Sequence, residues 1–307
     1  LNGVSIMVQF PVSVKVLLSV LPCLLFLYVN SVMVFALLKK PLLLEHPRYI
    51  LYGHLLFTDS LQLLLTMLLY LFALTVIRMA TCVCVVVTQL AAITVKLSPI
   101  NLATMALERY VAICFPLRHA SISTPRVTAV AIAVMWTAAS VESFTQLFLF
   151  FCLDSADLTA QKFCNKNTVF RLQVYVTLNR GFTILNFVLV TVIIIYTYVA
   201  IMIAVKRPPS RVHKAKSEHK TVLLHVFQLC LYLISTLFNM INSSELLNLN
   251  PAIDIHVRYI FFFGLVIFPK FLSPLIYGLR DPTIRHDFKY YITFGCKSTV
   301  RDKQPDI

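Results

Sequence analysis

The chain has 307 residues, of which 59% are hydrophobic and 13% charged, with a formal net charge of +14 and a mean hydropathy of +0.81. Soluble globular domains carry about 25% charged residues, so this composition excludes an ordinary soluble fold and points to a membrane protein. The eight cysteines are unevenly spaced and form no CxxC-plus-His grouping, so no metal site or cofactor site is expected.

Hydropathy predicts an all-α membrane protein, a seven-transmembrane helix bundle. The spans run Val12 to Leu38, Tyr49 to Val76, Ala80 to Cys114, Val127 to Phe151, Leu172 to Val205, Thr221 to Ile241 and Val257 to Leu279. The first apolar stretch, Phe10 to Leu38, is a full span and not the short apolar core of a cleavable leader, so no leader is expected. After the seventh span, Asp281 to Tyr291 reads as a short amphipathic helix. Ile284, Phe288 and Tyr291 share one face, and Arg285, Asp287 and Lys289 lie elsewhere, a pattern suited to the inner leaflet and its lipids. The expected organisation is one membrane domain over residues 1–291, followed by a polar tail over 292–307. Cys296 in that tail suits either palmitoylation or a free thiol.

Charge is distributed by side. The segments joining spans one and two, three and four, and five and six, with the tail, hold Lys39, Lys40, Arg48, Arg118, Arg126, the Lys206–Lys220 cluster, Arg280, Arg285, Lys289 and further lysines. The alternate segments hold few cations. By the positive-inside rule the first set is cytoplasmic, which puts the amino terminus outside. The net charge therefore reflects topology, and no nucleic-acid partner is expected.

Charges inside the spans carry the most information. An apolar run from Ala80 to Leu107 leads into Glu108-Arg109, an ionised pair that is tolerable only where the helix reaches water. Lys96 lies 13 residues before Arg109, or roughly 20 Å further along the helix at 1.5 Å per residue. It needs a partner at that depth, and Glu142, six residues after Trp136 in the fourth span, sits at a comparable height. The pair serves either as a tie between the two helices or as a contact for a polar ligand group.

The stretch MALERYVAICFPLRH, Met105 to His119, resembles the MAYDRYVAICxPLxY signature of vertebrate odorant receptors, a branch of the rhodopsin-like G-protein-coupled receptors. Glu108 replaces the usual Asp and keeps its charge. Other landmarks fall in order. Asn30 and Asp59 resemble the polar pair that joins helices one, two and seven, and Trp136 the lone tryptophan of helix four. Thr197 to Ile201 resembles SYxxI, and Lys214 to Ser217 resembles KAxS. Ser273 to Arg280 resembles NPxIYxLR, with Ser for Asn. The resemblance covers nearly the whole chain.

It implies a receptor that takes a small-molecule odorant within the bundle and activates a heterotrimeric G protein of the stimulatory type. It also implies an activation switch of Glu108, Arg109, Tyr110, Tyr198, Pro274 and Tyr277. Arg109 would pair with Glu108 at rest and with Tyr198, Tyr277 and the G protein when helix six swings out. The implied pocket comprises Thr88, Ala91, Ala92, Val95 and Lys96 on helix three and Asn179, Phe182, Thr183 and Asn186 on helix five. Tyr232, Thr236, Tyr259 and Phe263 complete it on helices six and seven. Helix six lacks the family's usual hinge, and Tyr232 in Leu229-Cys230-Leu231-Tyr232 stands as the aromatic toggle.

Amine receptors carry an Asp where Ala91 stands, so a small amine is not expected. In related receptors the counterpart of Asp59 binds sodium; here Lys270, one turn before Pro274, is placed to pair with Asp59 instead. The opsin lysine falls at Ile267, so retinal attachment is not expected. Cys84 matches the helix-three cysteine that pairs with the second outer loop, with Cys164 the better partner and Cys152 the alternative; a second bridge from Cys82 to Cys152 stays open. Asn242 opens a sequon in the third outer loop.

Two other classes compete. A seven-span transporter or channel would show an inverted repeat and paired broken helices, and a non-olfactory rhodopsin-like receptor would take a lipid or small peptide. The sequence holds no HExxH, nucleophile elbow or phosphate loop, so an enzyme is not expected.

Overall fold

The structure is a computed structural model that describes residues 12–75, 78–153, 161–164, 170, 172–205 and 282–292, with scattered positions of 223–234 and 264–271. Five helices are long and apolar enough to cross a membrane. They are Val12–Leu38, Pro47–Thr75, Thr81–Cys114, Pro125–Leu153 and Gln173–Val205, the first five spans. Most of the predicted sixth and seventh spans lies outside the described residues, although Lys270 and Phe271 are helical.

Helix starts follow local chemistry. Pro47 and Pro125 open the second and fourth spans, where a missing N–H costs nothing because the first turn has no partner for it. Thr124 caps the fourth span, its Oγ1 accepting the Val127 N–H at 3.3 Å. Between the first two spans a 3-10 turn, Pro41–Glu45, reverses the chain.

The third span is the axis of the bundle and packs against the second, fourth and fifth. The core between them contains Met33, Tyr52, Leu55, Leu97, Leu102, Met135 and Val190. Outward positions are equally apolar. Val127, Val130, Val134, Val141, Phe144 and Phe148 of the fourth span recur at steps of three, four or seven residues and are all exposed, as a lipid-facing stripe requires.

At the outer end, strands Arg78–Ala80 and Gln161–Phe163 pair antiparallel, with Met79 opposite Lys162. The Cys84–Cys164 disulfide fastens this pair to the third span. Cys82 and Cys152 are free and exposed, so the Cys152 alternative and the second bridge are not formed.

At the inner end, helix Pro282–Ile292 lies against the first span. Ile284 and Phe288 are each 1% exposed. Lys39 Nζ donates to the Tyr291 hydroxyl at 2.7 Å and stacks over the Phe35 and Tyr291 rings. The tail after Ile292, with Cys296, and the Asn242 sequon lie outside the described residues.

Asn30 ties the first span to the second: its Nδ2 donates to Ser60 Oγ at 2.8 Å and to the Leu56 carbonyl at 3.2 Å. Adjacent helix positions diverge by about 100°, so Ser60 faces the first span while Asp59 turns towards the third and seventh.

Candidate functional site

On the third span, Thr88, Ala91, Val95, Ser98, Leu102, Met105 and Arg109 follow one another at three or four residues and so form one stripe. All are at most 9% exposed except Val95, which is 50% exposed. Val95 is thus an opening on an otherwise buried face. Pro99 also lacks the N–H that would close on the Val95 carbonyl one turn earlier. The opening therefore sets an apolar side chain beside a polar backbone point.

The fifth span packs against the third. Tyr175, Val190, Ile194 and Thr197 are buried, and Asn179, Phe182, Thr183 and Asn186, on the same side, are only partly so. Asn186 Oδ1 is buried without a hydrogen-bond partner among the described residues. Ala92 is partly buried beside the third-span stripe. Tyr232, Thr236, Tyr259 and Phe263, placed in the pocket by the sequence, lie outside the described residues.

The face of the third span towards the fourth is polar. Lys96 Nζ forms an ion pair with Glu142 Oε2. Glu142 Oε1 accepts from Gln146 Nε2 at 2.8 Å, and Gln146 Oε1 accepts from Gln89 Nε2 at 3.1 Å. This row of four crosses between the two helices with Lys96 its most open member, the side chain 13% exposed.

Below the opening lies a second charged cluster. Lys270 Nζ donates to Asp59 Oδ1 and Gln62 Oε1, each at 2.6 Å, and Ser98 Oγ donates to Asp59 Oδ1 at 2.6 Å. Alongside, Trp136 Nε1 donates to His54 Nε2 at 2.9 Å, joining the fourth span to the second.

At the end of the third span remote from Cys84, Arg109 is 5% exposed, and its Nε lies 3.5 Å from Glu108 Oε2. His119 Nε2 reaches Glu108 Oε1 at 3.3 Å, so one carboxylate holds both groups. The Tyr110 and Tyr196 hydroxyls are 3.2 Å apart, and their rings meet edge to face. Tyr196 makes this contact. Tyr198 is partly buried and has no hydrogen bond to Arg109 among the described residues. Pro274 and Tyr277 lie outside the described residues.

Sequence reasoning missed Gln62, Gln89, Gln146, His119 and Tyr196. A usable signal exists for three of them: Gln62 follows Asp59 by three residues, Gln146 follows Glu142 by four, and Gln89 precedes Lys96 by seven. Such spacings stack side chains on one helix face. Arg180, partly buried in the outer half of the fifth span beside Asn179, was also not singled out.

The family model described as 7 transmembrane receptor (rhodopsin family) matches residues 29–277. Odorant receptor 131-2 of Danio rerio is 33% identical over 301 residues, 96% of this chain and 89% of that protein. Olfactory receptor 52J3 of Homo sapiens is 28% identical over 202 residues, 62% of each chain. Olfactory receptor 1073 of Rattus norvegicus is 28% identical over 200 residues, 62% of this chain and 61% of that protein.

Proposed function

The chain belongs to the rhodopsin family of seven-transmembrane receptors, on its odorant-receptor branch, and from that membership we propose that it binds a small odorant between its outer half-helices and activates a stimulatory-type heterotrimeric G protein. The ligand site is the opening at Val95, walled by Thr88, Ala91, Ala92, Phe182, Thr183 and Asn186 and completed by residues of the sixth and seventh spans. The observation that carries this reading is Val95, half exposed on a stripe that is elsewhere buried.

The signalling end is the Glu108–Arg109 pair. A buried guanidinium held by one neighbouring carboxylate, itself shared with His119, is a two-position element: it stays at rest or releases to face an inserted G-protein segment. To raise the active state from about 1% to half, a ligand must prefer it roughly 100-fold, about 2.7 kcal/mol. A few apolar contacts and one hydrogen bond are sufficient for that. The cation distribution supports an extracellular amino terminus in the plasma membrane, and sensory cilia would be the site of action.

The test is cAMP in cells expressing the chain, challenged with amino acids, fatty acids, bile acids and apolar volatiles, with Arg109→Ala as control. A ligand response lost in Arg109→Ala at equal surface expression supports the reading. A response that survives Arg109→Ala refutes the switch, and silence across the panel with verified surface expression refutes the cAMP arm.

A further inference from the structure

Asp59, Ser98 and Lys270 are 0% exposed and Gln62 is 5% exposed. An ionised carboxylate at such a depth requires a compensating positive charge. Receptors resembling this chain meet that need with a sodium ion beside the counterpart of Asp59. The residues present here do not fit a free ion. The Lys270 ammonium already stands 2.6 Å from both Asp59 Oδ1 and Gln62 Oε1. Ser98 spends its hydroxyl proton on the same Asp59 oxygen. Asp59 Oδ2 takes no hydrogen bond among the described residues, but a sodium ion drawn to either oxygen of that carboxylate would lie within a few ångströms of the ammonium and be repelled by it.

We infer that this protein carries its own cation: the Lys270 ammonium, delivered from the seventh span, takes the place of sodium, and the folded state is indifferent to sodium. A free ion stabilises a protein in proportion to its concentration over its dissociation constant, whereas a tethered ammonium is present at every salt concentration. A free ion can also leave when the helices rearrange, and a lysine cannot. Any movement of the seventh span must therefore carry the ammonium with it or draw it away from Asp59 inside the bundle. The inference concerns the inner cluster and holds whatever ligand the outer site takes.

The test melts the purified full chain in lipid nanodiscs in sodium, potassium and choline chloride at equal ionic strength. Wild type is expected to melt within about 1 °C in the three salts. A sodium-specific rise of roughly 3 °C or more overturns the inference. Lys270→Ala removes the ammonium while leaving the carboxylate, so it is expected to melt lower than wild type in choline and to recover by several degrees in sodium. A Lys270→Ala protein as stable as wild type in choline also overturns the inference. Should that variant not fold, Asp59→Asn combined with Lys270→Met removes both charges together and is expected to fold with no preference among the salts; a sodium preference in this double variant counts against the cluster as the source. The wild-type series decides the matter on its own if neither variant folds.

Discussion

Glu142→Gln tests the row of polar groups between the third and fourth spans. The substitution keeps the shape and one hydrogen-bonding oxygen but removes the charge opposite Lys96. The Glu142 side chain is 3% exposed and that of Lys96 13%, so the ammonium has little water to turn to. Removing one partner of a buried ion pair costs about 3–5 kcal/mol, because the remaining charge stays desolvated. At roughly 2–4 °C per kcal/mol, the melting temperature should fall by roughly 6–20 °C. The Gln146 bond to Oε1 can re-form with the new amide, so the loss reports the charge. The assay is a thiol-reactive fluorescence melt of purified protein beside surface expression in cells. Lys96→Met combined with Glu142→Gln should recover most of the loss, since no charge is left stranded. A Glu142→Gln protein melting within about 2 °C of wild type, with normal expression, would refute the pairing as a structural element.

Two further outcomes follow from the geometry. Cys84→Ser opens the bridge to Cys164 and releases the strand pair at the outer end. A loss of about 2–5 kcal/mol is expected, read as reduced surface expression and as a lower melting temperature without reductant. Val95→Trp should abolish the ligand response while shifting melting by about 2 °C or less, because a residue 50% exposed on an inward stripe has room to grow. An unchanged response would place the ligand elsewhere.

Much of the architecture could be read along the chain. The third span was expected over Ala80 to Cys114 and forms over Thr81–Cys114, and the fourth was expected over Val127 to Phe151 and forms over Pro125–Leu153. The hydrocarbon thickness sets span length, and uninterrupted apolar runs display it. The height of Lys96 against Glu142 was likewise computable, because the rise per residue is fixed.

What the chain order could not supply is the direction in which each side chain points. In a soluble helix the polar face marks solvent and so fixes the rotation. In this bundle lipid and core are equally apolar, so Val130 on the lipid face and Leu97 in the core look alike in sequence. Hence Asn30 could be named as a polar landmark of the first span, but not the Ser60 hydroxyl that it meets. Likewise Tyr198 was singled out for the switch, whereas Tyr196, two positions earlier, is the residue that meets Tyr110. Sequence alone determined the span pattern, the Glu108–Arg109 landmark and the need of each buried charge for a partner, and its cation distribution gave the expectation of sidedness. Only the tertiary structure decided which oxygen each cation meets, because helix rotation and packing, not depth in the membrane, bring Lys270, Asp59, Gln62 and Ser98 within bonding distance.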